Sequence, residues 1–157
     1  MFKIPRKLSV NISIAISVVL FLICIAGAFI MPSLTNILID TKDNIGNRGD
    51  ITAFGRVFVH VMAYLVLAAV MLADVLMFKL LFRVRKGEVF TDKSVALIRG
   101  VSWCCYLLCA AFCGIGIYFL LAFIVAFAAL FLGTCLRVTK NVIEEATEIK
   151  SENDLTV

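Results

Sequence analysis

VSWCCYLLCAAFCGIGIYFLLAFIVAFAALFLGTCL, residues Val101 to Leu136, is a stretch without any Asp, Glu, Lys, Arg, His, Asn, Gln or Pro. The hydrocarbon core of a bilayer is about 30 Å thick and is crossed by about 20 helical residues. The stretch is too long for one crossing. With its lead-in from Ser94 it fits two crossings joined at Gly114-Ile115-Gly116, because glycine permits a tight turn. The sequence therefore predicts a membrane protein.

The composition of the whole chain agrees with a lipid environment. Of its 157 residues, 62% are hydrophobic and 17% are charged, and the mean hydropathy is +1.05. Soluble domains are about 45–50% apolar and about 25% charged. The net charge of +4 does not indicate direct nucleic-acid binding, because the basic residues border apolar runs. In those places they set membrane topology and contact anionic lipids.

Four spans are predicted, at residues 8–31, 57–81, 95–113 and 117–136, within a single domain of residues 1–157. An outer loop covers residues 32–54, starts at Pro32 and is rich in turn formers. A second loop covers residues 83–94, in which Thr91 is the predicted N-cap of the third helix. In the tail, residues 137–157, Val142, Ala146 and Ile149 recur at helical spacing. The tail is predicted to form a short amphipathic helix, on the membrane or against a partner.

The distribution of basic residues predicts the orientation, because cytoplasmic flanks carry an excess of Lys and Arg. With four spans, the N-terminus, the second loop and the tail share one side, which carries twelve of the fifteen basic residues. These are Lys3, Arg6, Lys7, Lys79, Arg83, Arg85, Lys86, Lys93, Arg99, Arg137, Lys140 and Lys150. Lys42, Arg48 and Arg56 fall on the other side. The chain is therefore predicted to be an all-α four-helix membrane bundle, with both termini and the amphipathic C-terminal helix in the cytoplasm.

Asp74 and Arg99 are the predicted intramembrane ion pair. A carboxylate within hydrocarbon costs roughly 2.5–3.5 kcal/mol. Asp74 lies roughly 12 Å inside the membrane and Arg99 roughly 9 Å inside from the same side, at about 1.5 Å per residue. The pair is either a proton or ion relay, a charge-paired switch, or a purely structural contact. His60 and Asp74 form a candidate polar path, although roughly 21 Å of helix separates them; a packing role is the alternative for His60.

The six cysteines all lie in apolar runs, where free Cys acts as a small hydrophobic residue. Cys105, Cys109 and Cys113 repeat at positions i, i+4 and i+8 and therefore share one face of the third span. They are a candidate soft-metal ligand set. Small residues at this spacing also allow helices to pack closely in lipid, and Ser13 and Ser17 are interpreted in the same way. Neither a metal nor a cofactor is predicted.

Two segments resemble a known protein family. The loop Arg85-Lys86-Gly87-Glu88-Val89-Phe90-Thr91, leading to Leu97-Ile98-Arg99, resembles a Gly-x-x-Phe-Thr junction followed by a helix with Leu-x-Arg. The ending Glu152-Asn153-Asp154-Leu155-Thr156-Val157 is similar to a Glu-Asn-Asp-Leu-Thr-Ile/Val terminus. Both are features of small bacterial membrane proteins in domain-of-unknown-function family twenty-nine seventy-five. The resemblance implies a multi-pass, four-span protein of the bacterial plasma membrane without an assigned activity. It also implies a Cro/C1-type helix-turn-helix regulator as a cytoplasmic partner.

The hypothesis from the sequence is a non-enzymatic accessory, sensor or regulator-partner protein, since no catalytic motif is present. The alternative is a small transporter or channel subunit that acts as a homo-oligomer, with Asp74 and Arg99 in a polar path. A membrane enzyme is the third hypothesis. Candidate partner-binding residues lie in the second loop and in the terminal hexapeptide: Arg85, Lys86, Glu152, Asn153, Asp154 and Leu155.

Overall fold

The computed structural model describes residues 6–41 and 52–155, which form four long helices. They are α1 (Arg6–Asp40), α2 (Ala53–Lys86), α3 (Asp92–Gly116) and α4 (Ala122–Leu155). At about 1.5 Å per residue, α2 and α4 are each roughly 51 Å long, which exceeds the roughly 30 Å of a hydrocarbon core. All four helices are long and apolar enough to cross a membrane. The predicted all-α, four-span membrane fold is confirmed.

Consecutive helices pack against each other in antiparallel directions. On α1 and α2, Ser17 bonds to Asp74 and Thr35 bonds to His60, so positions that advance along α1 retreat along α2. The other two pairs are fixed by contacts of Gly100 with Leu76, Gly114 with Phe58, Ser102 with Gly133 and Arg99 with Glu144. The starts of α1 and α3 and the ends of α2 and α4 therefore lie together, at what we call the basic end.

The helices form a series, because α2 and α3 each contact the helices on both sides of them. Within residues 6–41 and 52–155, close backbone contacts between helices join only consecutive pairs, so α1 and α4 are the two edges. Large apolar side chains cover the outside: Phe29 is 82% exposed and Phe127 is 71% exposed. Large contiguous apolar surface is typical of interfaces and of contact with lipid, which agrees with the membrane assignment.

Pro32 does not end the first helix, contrary to the predicted loop at residues 32–54. α1 continues to Asp40 with Pro32 inside it. Membrane helices tolerate proline because other groups satisfy the backbone that it frees. The added turns are held by packing, since Ile39 is only 6% exposed and lies in a cluster with Val59 and Phe119. The remaining loop predictions, for residues 42–51, lie outside the described residues.

Gly114-Ile115-Gly116 does not form the turn between the third and fourth spans. α3 continues through Gly116, and the chain reverses at residues 117–121. Both glycines serve close packing: a Cβ at Gly114 would lie 3.4 Å from the Phe58 ring, and one at Gly116 would lie 2.9 Å from the Phe123 ring. The connection is held by burial of Phe119 against α1 and α2. The left-handed glycine among the described residues is Gly87, the C-cap of α2, with φ 85°.

The tail continues the fourth membrane helix instead of forming a separate short one. α4 runs without interruption from Ala122 to Leu155, and the sequence places no proline in it. Sharp bends in helices need a proline, a π-bulge or an inserted group. A continuous helix therefore carries the residues beyond Leu136 out of the span in the direction of α4.

Candidate functional site

Asp74 faces α1, where the Ser17 hydroxyl donates a hydrogen bond of 2.7 Å to its Oδ1 atom. Ser17 is buried and Asp74 is half-buried. A cavity of about 370 Å³ adjoins the pair, lined mainly by apolar side chains of α1 and α2 together with Lys79. A hydroxyl donor stabilises the carboxylate because a buried charge needs hydrogen bonds. This pair therefore joins α1 and α2 through a half-buried carboxylate.

The predicted Asp74–Arg99 ion pair is not formed. Arg99 instead donates to Glu144 on α4, at 3.2 Å between Nη2 and Oε1. Two residues at the same depth on neighbouring helices meet only if both helices are rotated so that the side chains face each other. Successive residues turn by about 100°, so Gly100 lies against Leu76 of α2 while its neighbour Arg99 faces α4. Asp74 points away from α3, two residues before Leu76.

Glu144 is the centre of a charged cluster between α3 and α4. Lys140 also donates to it, from Nζ to Oε2, and the Lys140 side chain is only 14% exposed. One helical turn from Lys140, the Arg137 guanidinium lies 5.2 Å from the centre of the Trp103 ring and 5.6 Å from that of Tyr106. Arginine stacks on aromatic faces in this way, and Trp and Tyr are enriched where membrane meets water. The cluster therefore fastens the α4 continuation to α3 near the membrane boundary.

His60 belongs to a second polar cluster, at the opposite end from the basic one. Its Nδ1 donates to the Arg56 carbonyl oxygen at 2.8 Å, and its Nε2 lies 2.7 Å from the Thr35 hydroxyl. The Thr35 hydroxyl also donates within α1, to the Met31 carbonyl oxygen at 2.9 Å. Arg56 also pairs with Asp40 at 2.7 Å, both side chains being largely exposed.

The described residues do not connect His60 with Asp74 as a polar path. Between them along α2 lie Ala63 and Ala69, which are apolar and buried. His60 and Asp74 instead have separate partners on α1, Thr35 and Ser17. Each of the two residues therefore completes a contact between the first two helices.

The three-cysteine set is not assembled as a metal site. Cys105 lies against Gly133 of α4, at 3.1 Å from a Cβ built there. Cys109 is half-buried and Cys113 is exposed. Among the described residues, no group of three His, Cys, Asp or Glu side chains is close enough to hold a metal ion. Their spacing places small side chains along α3, where helices approach closely.

The candidate partner-binding residues separate into two places. Arg85 is exposed at the end of α2, and Lys86 stacks its ammonium group 5.0 Å from the centre of the Phe82 ring. Glu152 is exposed on the last turns of α4. The side chains of Asn153, Asp154 and Leu155 lie outside the described residues, as do Thr156 and Val157. The loop itself is well fixed, since Thr91 caps α3 and accepts from the Ser94 amide, as predicted.

Sequence reasoning missed Thr35 and Glu144 and gave Ser17 only a packing role. Ser17 could have been identified as a donor, because it lies on the first span and the Asp74 carboxylate on the second span needs a hydrogen-bond donor. The sequence prediction places Glu144 in a tail beyond the spans, away from Arg99. A continuous helix from Ala122, with Lys140 four residues before Glu144, would have placed both near the start of α3.

These polar contacts can hold neighbouring helices together. Each ionisable candidate is already bonded within the protein: Asp74 to Ser17, His60 to Thr35 and Glu144 to both Arg99 and Lys140. Such contacts give specificity to helix pairing in lipid, where apolar burial does not distinguish one partner helix from another. The geometry thus favours a structural and recognition role for these polar groups.

Comparison with known proteins agrees with the membrane fold. The family described as "Protein of unknown function (DUF2975)" matches residues 43–157. The chain is also 24% identical over 157 residues to the "Uncharacterized membrane protein YoaS" of Bacillus subtilis (strain 168), covering 92% of each protein. No solved structure matches. Because the family match covers well over half of the chain, this protein belongs to the DUF2975 family of proteins of unknown function.

Proposed function

We propose that the protein is a non-enzymatic accessory of the bacterial plasma membrane that holds a soluble regulatory protein at its cytoplasmic surface. Both termini and the basic end face the cytoplasm in this proposal. The concentration of twelve of fifteen basic residues on that side supports the orientation. The structural roles of Asp74, His60 and Glu144 support a non-enzymatic activity, because their polar groups serve contacts between helices.

The observation that carries the proposal is the outward face of α4 beyond the membrane. Val142 and Ile149 are 60% and 56% exposed, seven residues apart and thus on one side of the helix. They lie about 7 and 18 Å along the axis from Arg137, at about 1.5 Å per residue. The span predicted from the sequence ends at Leu136, so in this proposal both residues lie beyond the lipid tails. An apolar face outside the hydrocarbon suits a protein partner.

The charges beside this face favour a basic partner. Glu145 lies on the same side of α4, and Glu148 is exposed next to Ile149. A small helix-turn-helix regulator, the partner that the family resemblance implies, is positively charged because it binds DNA phosphates. Its retention on α4 would keep it from DNA and thereby couple a membrane event to transcription.

Co-purification tests this proposal. The tagged full chain is cross-linked in native membranes, and recovered proteins are identified by mass spectrometry. Val142→Asp with Ile149→Asp, and separately deletion of residues 152–157, are each expected to lower recovery of a small regulator at least about tenfold. Val142→Leu with Ile149→Leu is the matched control, because it keeps the apolar face. Recovery that is unchanged in both altered proteins, with helicity preserved, would refute the proposal.

A transport subunit is the second candidate, favoured by the cavity beside Asp74 and Lys79. Four spans are few for a transporter, so this function requires an oligomer. Ion flux in vesicles containing the purified protein distinguishes the two functions. Flux that is present and is lost with Asp74→Asn, but not with Ser13→Ala, would support transport.

A further inference from the structure

A basic cleft lies between the end of α2 and the start of α3. Its volume is about 490 Å³. We call it the basic cleft, and its charged lining consists of Lys79, Arg83, Lys86, Lys93 and Glu88. Four cations face one carboxylate, and that carboxylate already pairs with Arg83 at 3.3 Å between Nη1 and Oε2. The cleft therefore has an excess of positive charge.

The cations are arranged along one face of α2. Lys79, Arg83 and Lys86 have the i, i+4, i+7 spacing of a helical stripe, and Lys93 faces them from the first turn of α3. Within the described residues, Lys79, Lys86 and Lys93 make no ion pair with a carboxylate. Asp92 begins α3 but does not line the cleft. Three ammonium groups are thus available to an anion.

The floor of the cleft is apolar. Phe78 and Phe82 line it from α2, 39% and 45% exposed, and Ala96 and Leu97 line it from α3. The cavity beside Asp74 shares Phe78 and Lys79 with the cleft. Apolar surface thus extends from the cations along both faces of Phe78, on one side between α2 and α3 and on the other between α1 and α2. Such a site suits an amphiphile with a charged head and hydrocarbon chains.

Counting residues along α2 from His60 predicts that the cleft lies in the layer of lipid headgroups. Lys79 lies nineteen residues from His60 on α2, roughly 28 Å at about 1.5 Å per residue. That distance is close to the hydrocarbon thickness of about 30 Å. From Lys79 to Lys86 the helix advances roughly another 10 Å, enough to cross one headgroup layer of about 5–8 Å. The cations therefore stand at the level of lipid phosphates.

We propose that the basic cleft binds the phosphate headgroup of an anionic glycerophospholipid, whose acyl chains lie along Phe78, Ala96 and Leu97. Lys79, Lys86 and Lys93 contact the phosphate oxygens, and Arg83 remains paired with Glu88. Basic pockets between membrane helices hold anionic headgroups by this combination of charge and apolar contact. The loop supports the site rigidly: Gly87 closes α2 in the left-handed conformation, and the Ser94 hydroxyl donates to the Glu88 carbonyl at 2.8 Å.

The test measures lipid retention by native mass spectrometry of the full chain released from a neutral detergent. Phosphatidylglycerol and phosphatidylcholine with the same acyl chains are added separately. The unaltered protein is expected to retain one phosphatidylglycerol per chain under conditions that remove phosphatidylcholine. Lys79→Gln and Lys93→Gln are each expected to weaken retention about fivefold, and the double variant about 25-fold.

Matched variants separate the cleft from general charge. Lys150→Gln removes one cation from α4, which among the described residues packs against α3 and not against α2. This variant is expected to leave retention unchanged. Lys79→Arg with Lys93→Arg is expected to keep the preference for phosphatidylglycerol. Equal retention of the two lipids by the unaltered protein would overturn the proposal. So would a Lys150→Gln effect as large as that of Lys93→Gln.

A second measurement needs no variant and distinguishes the source of the phosphate. Phosphatidylglycerol is expected to raise the unfolding temperature of the unaltered protein more than phosphatidylcholine does, since a bound ligand stabilises the folded state. Glycerol phosphate, which has the anion without the chains, is expected neither to raise that temperature nor to displace the lipid. Displacement at concentrations similar to those of the lipid would overturn the lipid assignment in favour of a soluble phosphate compound.

Discussion

At the scale of the residue, the Ser17–Asp74 bond is one of the polar contacts that join α1 and α2. Ser17→Ala removes the donor from a half-buried carboxylate, so we expect a loss of about 1–2 kcal/mol in the free energy of unfolding in mixed micelles. Ser13→Ala is the matched control, because the Ser13 hydroxyl donates to the Ser9 carbonyl of its own helix. Equal losses from the two alanines would contradict the role given to Asp74.

Double-mutant cycles can identify the partner of Arg99. Arg99→Gln and Glu144→Gln should be coupled, because the two side chains lie 3.2 Å apart. Arg99→Gln and Asp74→Asn should be additive within about 0.5 kcal/mol, as expected for residues without shared partners. The measurement is the free energy of unfolding of the singles and doubles. Coupling between Asp74 and Arg99 that exceeds the Glu144 coupling would restore the ion pair predicted from depth.

At the scale of the element, Gly133 permits the close approach of α3 and α4. A Cβ there would lie 3.1 Å from the Cys105 Cβ and 3.2 Å from the Tyr106 ring, and the Gly133 carbonyl accepts from the buried Ser102 hydroxyl at 2.9 Å. Gly133→Ala should therefore destabilise the protein by about 1–3 kcal/mol. Gly27→Ala is the control, because its Cβ would meet Leu67 at an ordinary 3.9 Å. The melting temperatures in detergent compare them, and a tolerated Gly133→Ala would refute this account.

Helix ends show how far element boundaries follow from sequence. The start of α3 was predictable, because Thr91 has the right type and place to cap it. The end of α1 was not, because Pro32 and Asp40 are both plausible stops and the choice depends on Ile39 packing against Phe119. Gly114 and Gly116 likewise indicate a turn when only the local sequence is considered. In the structure they lie within α3, where the Phe58 and Phe123 rings pack against them.

At the scale of the whole molecule, antiparallel packing places both described ends of the chain at the basic end. Lys and Arg then predict that this end is cytoplasmic. After replacement of the native cysteines, Glu145→Cys should react with a membrane-impermeant maleimide only in permeabilised cells, and Asn44→Cys should react in intact cells. Labelling of both positions from the same side would exclude the four-span topology.

Sequence alone determined the solvent, the number of spans and the antiparallel order, because hydrocarbon thickness and backbone hydrogen bonding leave an apolar chain few alternatives. It also placed Asp74 and Arg99 at nearly the same depth. Only the tertiary structure decided their partners, Ser17 and Glu144. Depth follows from counting residues along a helix, whereas the direction of a side chain depends on how each helix is rotated against its neighbours. That rotation is fixed by packing at contacts such as Gly100 with Leu76 and Gly133 with Cys105, which join residues distant in the sequence.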